Sequence, residues 1–207
     1  MTTKDILKKN IGFISLGCDK NRVDLERIIS LVKNAGFNIV DDIKDANVVI
    51  INTCSFIESA RKESVDIILN TITYKARHCE KIIVTGCLNQ MNYTDLNSSL
   101  PEVDCFLKVS DNSKIVNIIF GLYGVELKES DNYCNIDRIL STPHHYAYLK
   151  ISEGCNNFCS YCTIPFIRGR FVSTPIEQLI NEAKQLASLG VKELILVGQD
   201  VTKYGFD

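Results

Sequence analysis

Apolar residues recur along this chain in two alternating rhythms. Residues 11 to 17, Ile-Gly-Phe-Ile-Ser-Leu-Gly, form a short apolar run, and from Asn21 the positions Val23, Leu25, Ile28, Ile29, Leu31 and Val32 fall at helical spacing. Gly36 stops that helix. The cycle then repeats: Val48 to Ile51 is a β-branched strand, Phe56 to Tyr74 carries apolar residues at helical intervals, and Lys81 to Thr85 is a third strand. A short strand around Cys105 to Val109 and a helix from Ser113 to Phe120 close the series.

Strands alternating with helices of this length predict an α/β fold with an open parallel sheet covered on both faces, over residues 1–123. Periodicity is lost from Gly124 to Pro143, which reads as a linker over 124–143. The rhythm restarts in 144–207. Tyr146 to Ile151 is a strand, Thr174-Pro175-Ile176-Glu177 opens a helix with a capping box and proline at its first position, Gly190 closes it, and Glu193 to Val197 is the next strand. Two such βα units neither close a barrel nor bury both faces of a sheet, so the chain is expected to be the N-terminal part of a longer protein.

Composition narrows the function classes. With 207 residues, 45% of them hydrophobic and 23% charged, the chain can bury a real core. A net charge of −2 offers no global basic field for a nucleic acid or an anionic membrane. No apolar run approaches the roughly 20 residues that cross a bilayer. Nine cysteines without a signal-peptide pattern at the start point to a reducing cytoplasm, where clustered cysteines bind metal or do redox chemistry.

The cysteines fall into two sets. Cys155, Cys159 and Cys162 form a C-x3-C-x2-C run on one loop after a strand. Three thiolates leave a fourth position to fill. A structural zinc would take it from Cys134, His144 or His145, whereas a [4Fe-4S] cluster would leave one iron open to a reactant. The second set is scattered: Cys18, Cys54 and Cys87 each follow a predicted parallel strand, so their thiols can converge at the carboxyl rim where open α/β sheets bind ligands. An S-x-x-E box at Ser55 to Glu58 would place Cys54 before a helix N-terminus, which favours a thiolate. Cys79, Cys105 and Cys134 lack such placement and read as structural.

Gly17-Cys18-Asp19-Lys20-Asn21, Asn52-Thr53-Cys54, Thr85-Gly86-Cys87 and the Cys155/Cys159/Cys162 loop, with Tyr161 before its last cysteine, Ile164-Pro165 and Arg168-Gly169-Arg170, together resemble the methylthiotransferase family of radical S-adenosylmethionine enzymes. Asp24, Phe56 to Ala60, Tyr148 to Gly154 and Gln199 to Gly205 are similar to its ribosomal branch and differ from its tRNA-modifying branch, although Leu25 stands where the ribosomal branch usually has Ser.

The resemblance implies the start of a radical S-adenosylmethionine (β/α) barrel after the N-terminal domain. It implies two [4Fe-4S] clusters, on Cys18, Cys54 and Cys87 and on Cys155, Cys159 and Cys162, with S-adenosylmethionine as the radical source. Tyr161, Gln199 and Asp200 are then expected near the cofactor, and Arg168 and Arg170 near its carboxylate or an acidic substrate. The implied substrate is an aspartate β-carbon of small-subunit ribosomal protein S-twelve, with an electron donor as second partner. The alternatives are a tRNA adenosine methylthiotransferase and a non-catalytic metal-binding fragment. Family members continue through the rest of the barrel into a TRAM domain.

Overall fold

The structure, a computed structural model, describes residues 2–91, 93–127 and 138–207. A short helix α1 (Thr3–Leu7) precedes strand β1 (Asn10–Ser15), helix α2 (Asp19–Asn34) and the two-residue strand β2 (Asn38–Ile39). There follow β3 (Val48–Thr53), α3 (Glu58–Ile72), β4 (Lys81–Gly86), the short helices α4 (Leu88–Met91) and α5 (Tyr93–Ser99), β5 (Cys105–Phe106) and α6 (Ile115–Leu122). The five strands form one parallel sheet in the order β2-β1-β3-β4-β5.

Side-chain alternation divides the sheet between two cores. On β3, Val48 and Ile50 face one side with Ile28, Leu31 and Val32 of α2 and Ile115, Val116 and Ile119 of α6. Val49 and Ile51 face the other with Ile68 of α3, Leu88 and Phe106. All six residues of β3 are buried, as a central parallel strand requires. The chain reverses its winding between β1 and β3, and that is where a doubly wound sheet of this order opens its crevice.

The C-terminal half is smaller. Strand β6 (Tyr146–Lys150) pairs in parallel with β9 (Glu193–Val197), and the crossing helix α8 (Ile176–Ser188) buries Leu179 and Leu186 against Ala147, Leu149 and Ile151. Between them β7 (Ser152–Glu153) pairs antiparallel with β8 (Val172–Ser173) and clips the base of the cysteine loop, which carries the short helix α7 (Ile164–Arg168).

Strands β1, β3, β4, β6 and β9 and helices α2, α3, α6 and α8 follow the sequence reading, whereas α1, β2, α4, α5, α7 and the β7–β8 ladder are absent from it, and three further details differ. The strand around Cys105 spans two residues, because Val109 to Lys114 turn into a 3-10 helix. Helix α3 begins at Glu58 after an extended Ile57, so Ser55 and Glu58 make no capping box and Cys54 is not at a helix N-terminus. Pro175 is the N-cap residue of α8 and offers no side-chain acceptor, so the box from Thr174 to Glu177 is likewise absent. Within the expected linker, residues 128–137 and with them Cys134 lie outside the described residues. Among the described residues no helix is long and apolar enough to cross a membrane.

Candidate functional site

The carboxyl ends of β1, β3 and β4 carry Cys18, Cys54 and Cys87, and each is held differently. Cys18 is the N-cap residue of α2, so it takes the helix-terminus position that the sequence suggested for Cys54. Cys54 is fixed instead by Ser64 on α3, whose Oγ accepts from the Cys54 N–H at 3.1 Å and donates to its carbonyl at 2.8 Å. Two glycines allow the approach. At Gly17 (φ 91°) a Cβ would sit 2.7 Å from the Cβ of Cys54, and at Gly86 (φ 97°) it would sit 2.3 Å from the Thr53 carbonyl oxygen.

Asn21 ties these ends together. Its amide donates to the carbonyls of Leu16 at 3.1 Å and Thr53 at 2.9 Å, while its own carbonyl accepts from the Asn52 amide at 2.6 Å. Its side-chain oxygen lies 3.6 Å from the Cys87 sulfur.

The second set sits on the clipped loop, with Cys155 buried, Cys162 half-buried and Cys159 exposed. Both sets border a single cavity of about 610 Å³, which all six thiols line together with Gln199, Arg168, Lys20, Phe56, Ile57 and Phe158. Gln199 donates to Glu153 Oε1 at 3.2 Å, and its own side-chain oxygen is buried without a hydrogen-bond partner. Tyr161 and Asp200 do not line the cavity. Tyr161 is 88% exposed. Asp200 accepts from the Thr202 hydroxyl at 2.6 Å and from Asn157 at 3.3 Å, bonds that hold its carboxyl below the usual range, and so it caps the turn after β9.

A buried ionic knot joins the two halves beside this cavity. Asp24 of α2 accepts from Lys150 of β6 and, at 2.6 Å, from Arg168 of α7. Glu153 accepts from the same two cations, at 2.8 and 3.3 Å. Burial pushes the Asp24 carboxyl up, but the charges of Lys150 and Arg168 outweigh it and hold the group below its ordinary value. Burial pulls the Arg168 guanidinium down, and Asp24 more than restores it, so Arg168 stays charged. Burial also raises the Cys87 thiol against the pull of Arg168. Further along α2, Glu26 accepts from Ser141 and pairs with Arg138 at 3.1 Å, and Arg138 also reaches Glu182 of α8.

Sequence reasoning placed Arg168 near a cofactor carboxylate or an acidic substrate. Within the protein its acceptors are Asp24, Glu153, Asn21 and the Cys87 sulfur, and it also lines the cavity, while Arg170 is exposed. The roles of Asn21, Asp24, Lys150 and Glu153 in this knot went unread. The available signal was polar residues breaking the apolar stripe of α2, where Asn21, Asp24 and Glu26 are all buried.

As for a metal, no group of three or more His, Cys, Asp or Glu among the described residues is placed to hold a single ion. The expected zinc alternatives fare no better, since neither His144 nor His145 lines the cavity. Each set nevertheless offers three free soft thiols, and a cluster spreads its thiolates over separate irons and so accepts a wider set than one ion does.

Comparison with known proteins bears on the family and the fold. The Uncharacterized protein family UPF0004 matches residues 10–108, and the Radical SAM superfamily matches residues 149–205. The ribosomal protein uS12 methylthiotransferase RimO of Clostridium novyi is 50% identical over 203 residues, covering 95% of this chain and 46% of the relative. Nearly the whole of this chain is thus similar to about half of a RimO methylthiotransferase. The RimO protein of Clostridium tetani is 48% identical over 208 residues, 97% of this chain and 46% of its own length. The chain thus spans about half the length of the methylthiotransferases it matches. Among solved structures, the radical S-adenosylmethionine methyltransferase TsrM from Kitasatospora setae, with cobalamin and a [4Fe-4S] cluster bound, superposes with a TM-score of 0.63 at 10% identity, covering 93% of this chain and 48% of that one. That likeness is one of fold.

Proposed function

We propose that this chain is the cluster-bearing part of a radical S-adenosylmethionine methylthiotransferase that modifies an aspartate of ribosomal protein uS12. Residues 1–123 form its sheet domain, 124–143 a linker, and 144–207 the start of the radical domain. Cys18, Cys54 and Cys87 hold one [4Fe-4S] cluster, and Cys155, Cys159 and Cys162 hold the other. The observation that carries this reading is the convergence of six thiols, from strand ends far apart in sequence and from one loop, on a single cavity.

When bound, the second cluster would supply the electron that cleaves S-adenosylmethionine to a carbon radical, the reagent needed to break an unactivated C–H bond. The residues of the chain have more modest tasks. Gly17 and Gly86 let the strand ends close up, Ser64 and Asn21 fix Cys54 and the surrounding backbone, and Asp24 with Lys150 and Arg168 holds the two cysteine sets on one cavity. Phe56, Ile57 and Phe158 give the mouth an apolar rim that limits water. Gln199, with a buried oxygen facing no protein donor, is placed to accept from a bound cofactor. Tyr161 and Asp200 lie outside the cavity lining, so a cofactor contact for either needs a ligand that extends beyond it. The protein works in the cytoplasm, where an external electron donor serves it, and the net charge of −2 gives this part of the chain no direct nucleic-acid signal.

The test is anaerobic reconstitution of the full-length protein. About eight irons per chain are expected, four for each cubane, falling to about four in Cys87→Ala. Cys155→Ala is expected to abolish 5'-deoxyadenosine formation. Methylthio mass should appear on uS12; its appearance on tRNA nucleosides instead would sink the substrate assignment.

A further inference from the structure

Arg168 links the two cysteine sets directly. It belongs to α7, six positions beyond Cys162, yet its Nη2 lies 3.5 Å from the sulfur of Cys87 on the opposite half. The same nitrogen donates to the Asn21 side-chain oxygen, and Nη1 donates to Asp24 at 2.6 Å. The Asn21 amide nitrogen is already committed to the Leu16 and Thr53 carbonyls, so Asn21 presents only an acceptor toward Cys87. A metal-bound thiolate is itself an acceptor and gains nothing from that oxygen. Arg168 supplies the donor. Its guanidinium is buried and fixed by a planar fork of contacts, where a charge acts through a low dielectric.

We infer that Arg168 is a positioning residue for the first cysteine set: it fixes the Cys87 thiolate from across the boundary and raises the reduction potential of the group held there. The inference rests on the reading of Cys18, Cys54 and Cys87 as a cluster site. Its physical basis is general. Reduction adds negative charge, and a cationic hydrogen bond to a ligand sulfur stabilises the reduced state more than the oxidised one. Docking of the cysteine loop thereby tunes a site to which that loop contributes no ligand.

The experiment uses the full chain with Cys155, Cys159 and Cys162 replaced by Ala, so that only the first site loads. Arg168, Arg168→Lys and Arg168→Gln are compared by one-electron titration followed by EPR, with amide hydrogen exchange of α2 and β6 measured on the same proteins. In Arg168→Gln the reduced-to-oxidised ratio at a fixed potential should fall about tenfold, or about 59 mV for a one-electron couple. Arg168→Lys keeps the ion pair with Asp24 but cannot span Asp24 and sulfur together. It should keep wild-type exchange while its potential falls as in Arg168→Gln. A purely structural role would move exchange and potential together, so a wild-type potential in Arg168→Lys overturns the inference. Iron bound with one unchanged potential in all three proteins also overturns it and leaves the cluster reading standing. Absence of iron from all three would remove the cluster reading and the inference together.

Discussion

The two cysteine sets reach one cavity by opposite means. Cys18, Cys54 and Cys87 are separated by 36 and 33 positions and are brought together by a parallel sheet whose central strand is wholly buried. Cys155, Cys159 and Cys162 lie within eight residues on a loop whose fixed point is a two-residue ladder at its base. The first set therefore inherits the rigidity of a core, and its geometry is as stable as the fold. The second is held by local chain and by Arg168, with Phe158 at a φ of 45° and Cys159 and Tyr161 exposed. A site fixed by tertiary structure should fail with the protein, whereas a site fixed by its own loop should tolerate change around it.

The largest expected effect comes from the contact the two regions share. Asp24→Ala removes the carboxylate that Lys150 and Arg168 share across the boundary and leaves them only Glu153 of their own half, and breaking a buried pair of this kind costs about 4 kcal/mol. Urea unfolding measures it, and a loss below about 1 kcal/mol would mean that the halves do not depend on the knot. Next is Gly86→Ala, which drives a Cβ into the Thr53 carbonyl in a left-handed conformation. A cost of about 3 kcal/mol is expected, with loss of iron from the first set and retention in the second. Equal loss from both would break the distinction drawn between them.

Acid separates the regions more gently. The folded-state pKa of Asp24 is depressed, so its stabilisation is fully present above the unfolded carboxylate value of about 3.9 and is lost as pH falls below that toward the folded value. Thermal unfolding between pH 6 and pH 3 should therefore fall steeply below about pH 4, at up to about 1.4 kcal/mol per unit for this one group. A flat profile there would count against the knot. Smallest is Tyr161→Ala, expected to change stability by less than about 0.5 kcal/mol because the ring is solvated. A change above 1 kcal/mol would show that the loop is anchored through its tip.

What could be read from the chain follows the same division. Parallel strands, the two-faced sheet and the convergence of Cys18, Cys54 and Cys87 were legible because β-branched runs such as Val48 to Ile51 alternate with helical stripes. The contiguous motif around Cys155 was legible from spacing alone. The knot was not, since nothing local to Asp24, Lys150 or Arg168 says that positions 126 and 144 residues apart will meet in the interior. Cap chemistry failed for a related reason. Ser55 and Glu58 have the right spacing, but the extended Ile57 and the bond from Ser64 to Cys54 set where α3 begins.

One carboxylate shared by two cations across a boundary has a consequence for how the halves respond to their surroundings. Ionic strength screens exposed charges over about 10 Å at 0.1 M, yet it scarcely reaches pairs from which water is excluded. Asp24 and Arg168 are each under a tenth exposed. Salt concentrations that strip surface ion pairs should then leave the cysteine sets in register, and swings in cellular osmolarity should pass this joint by.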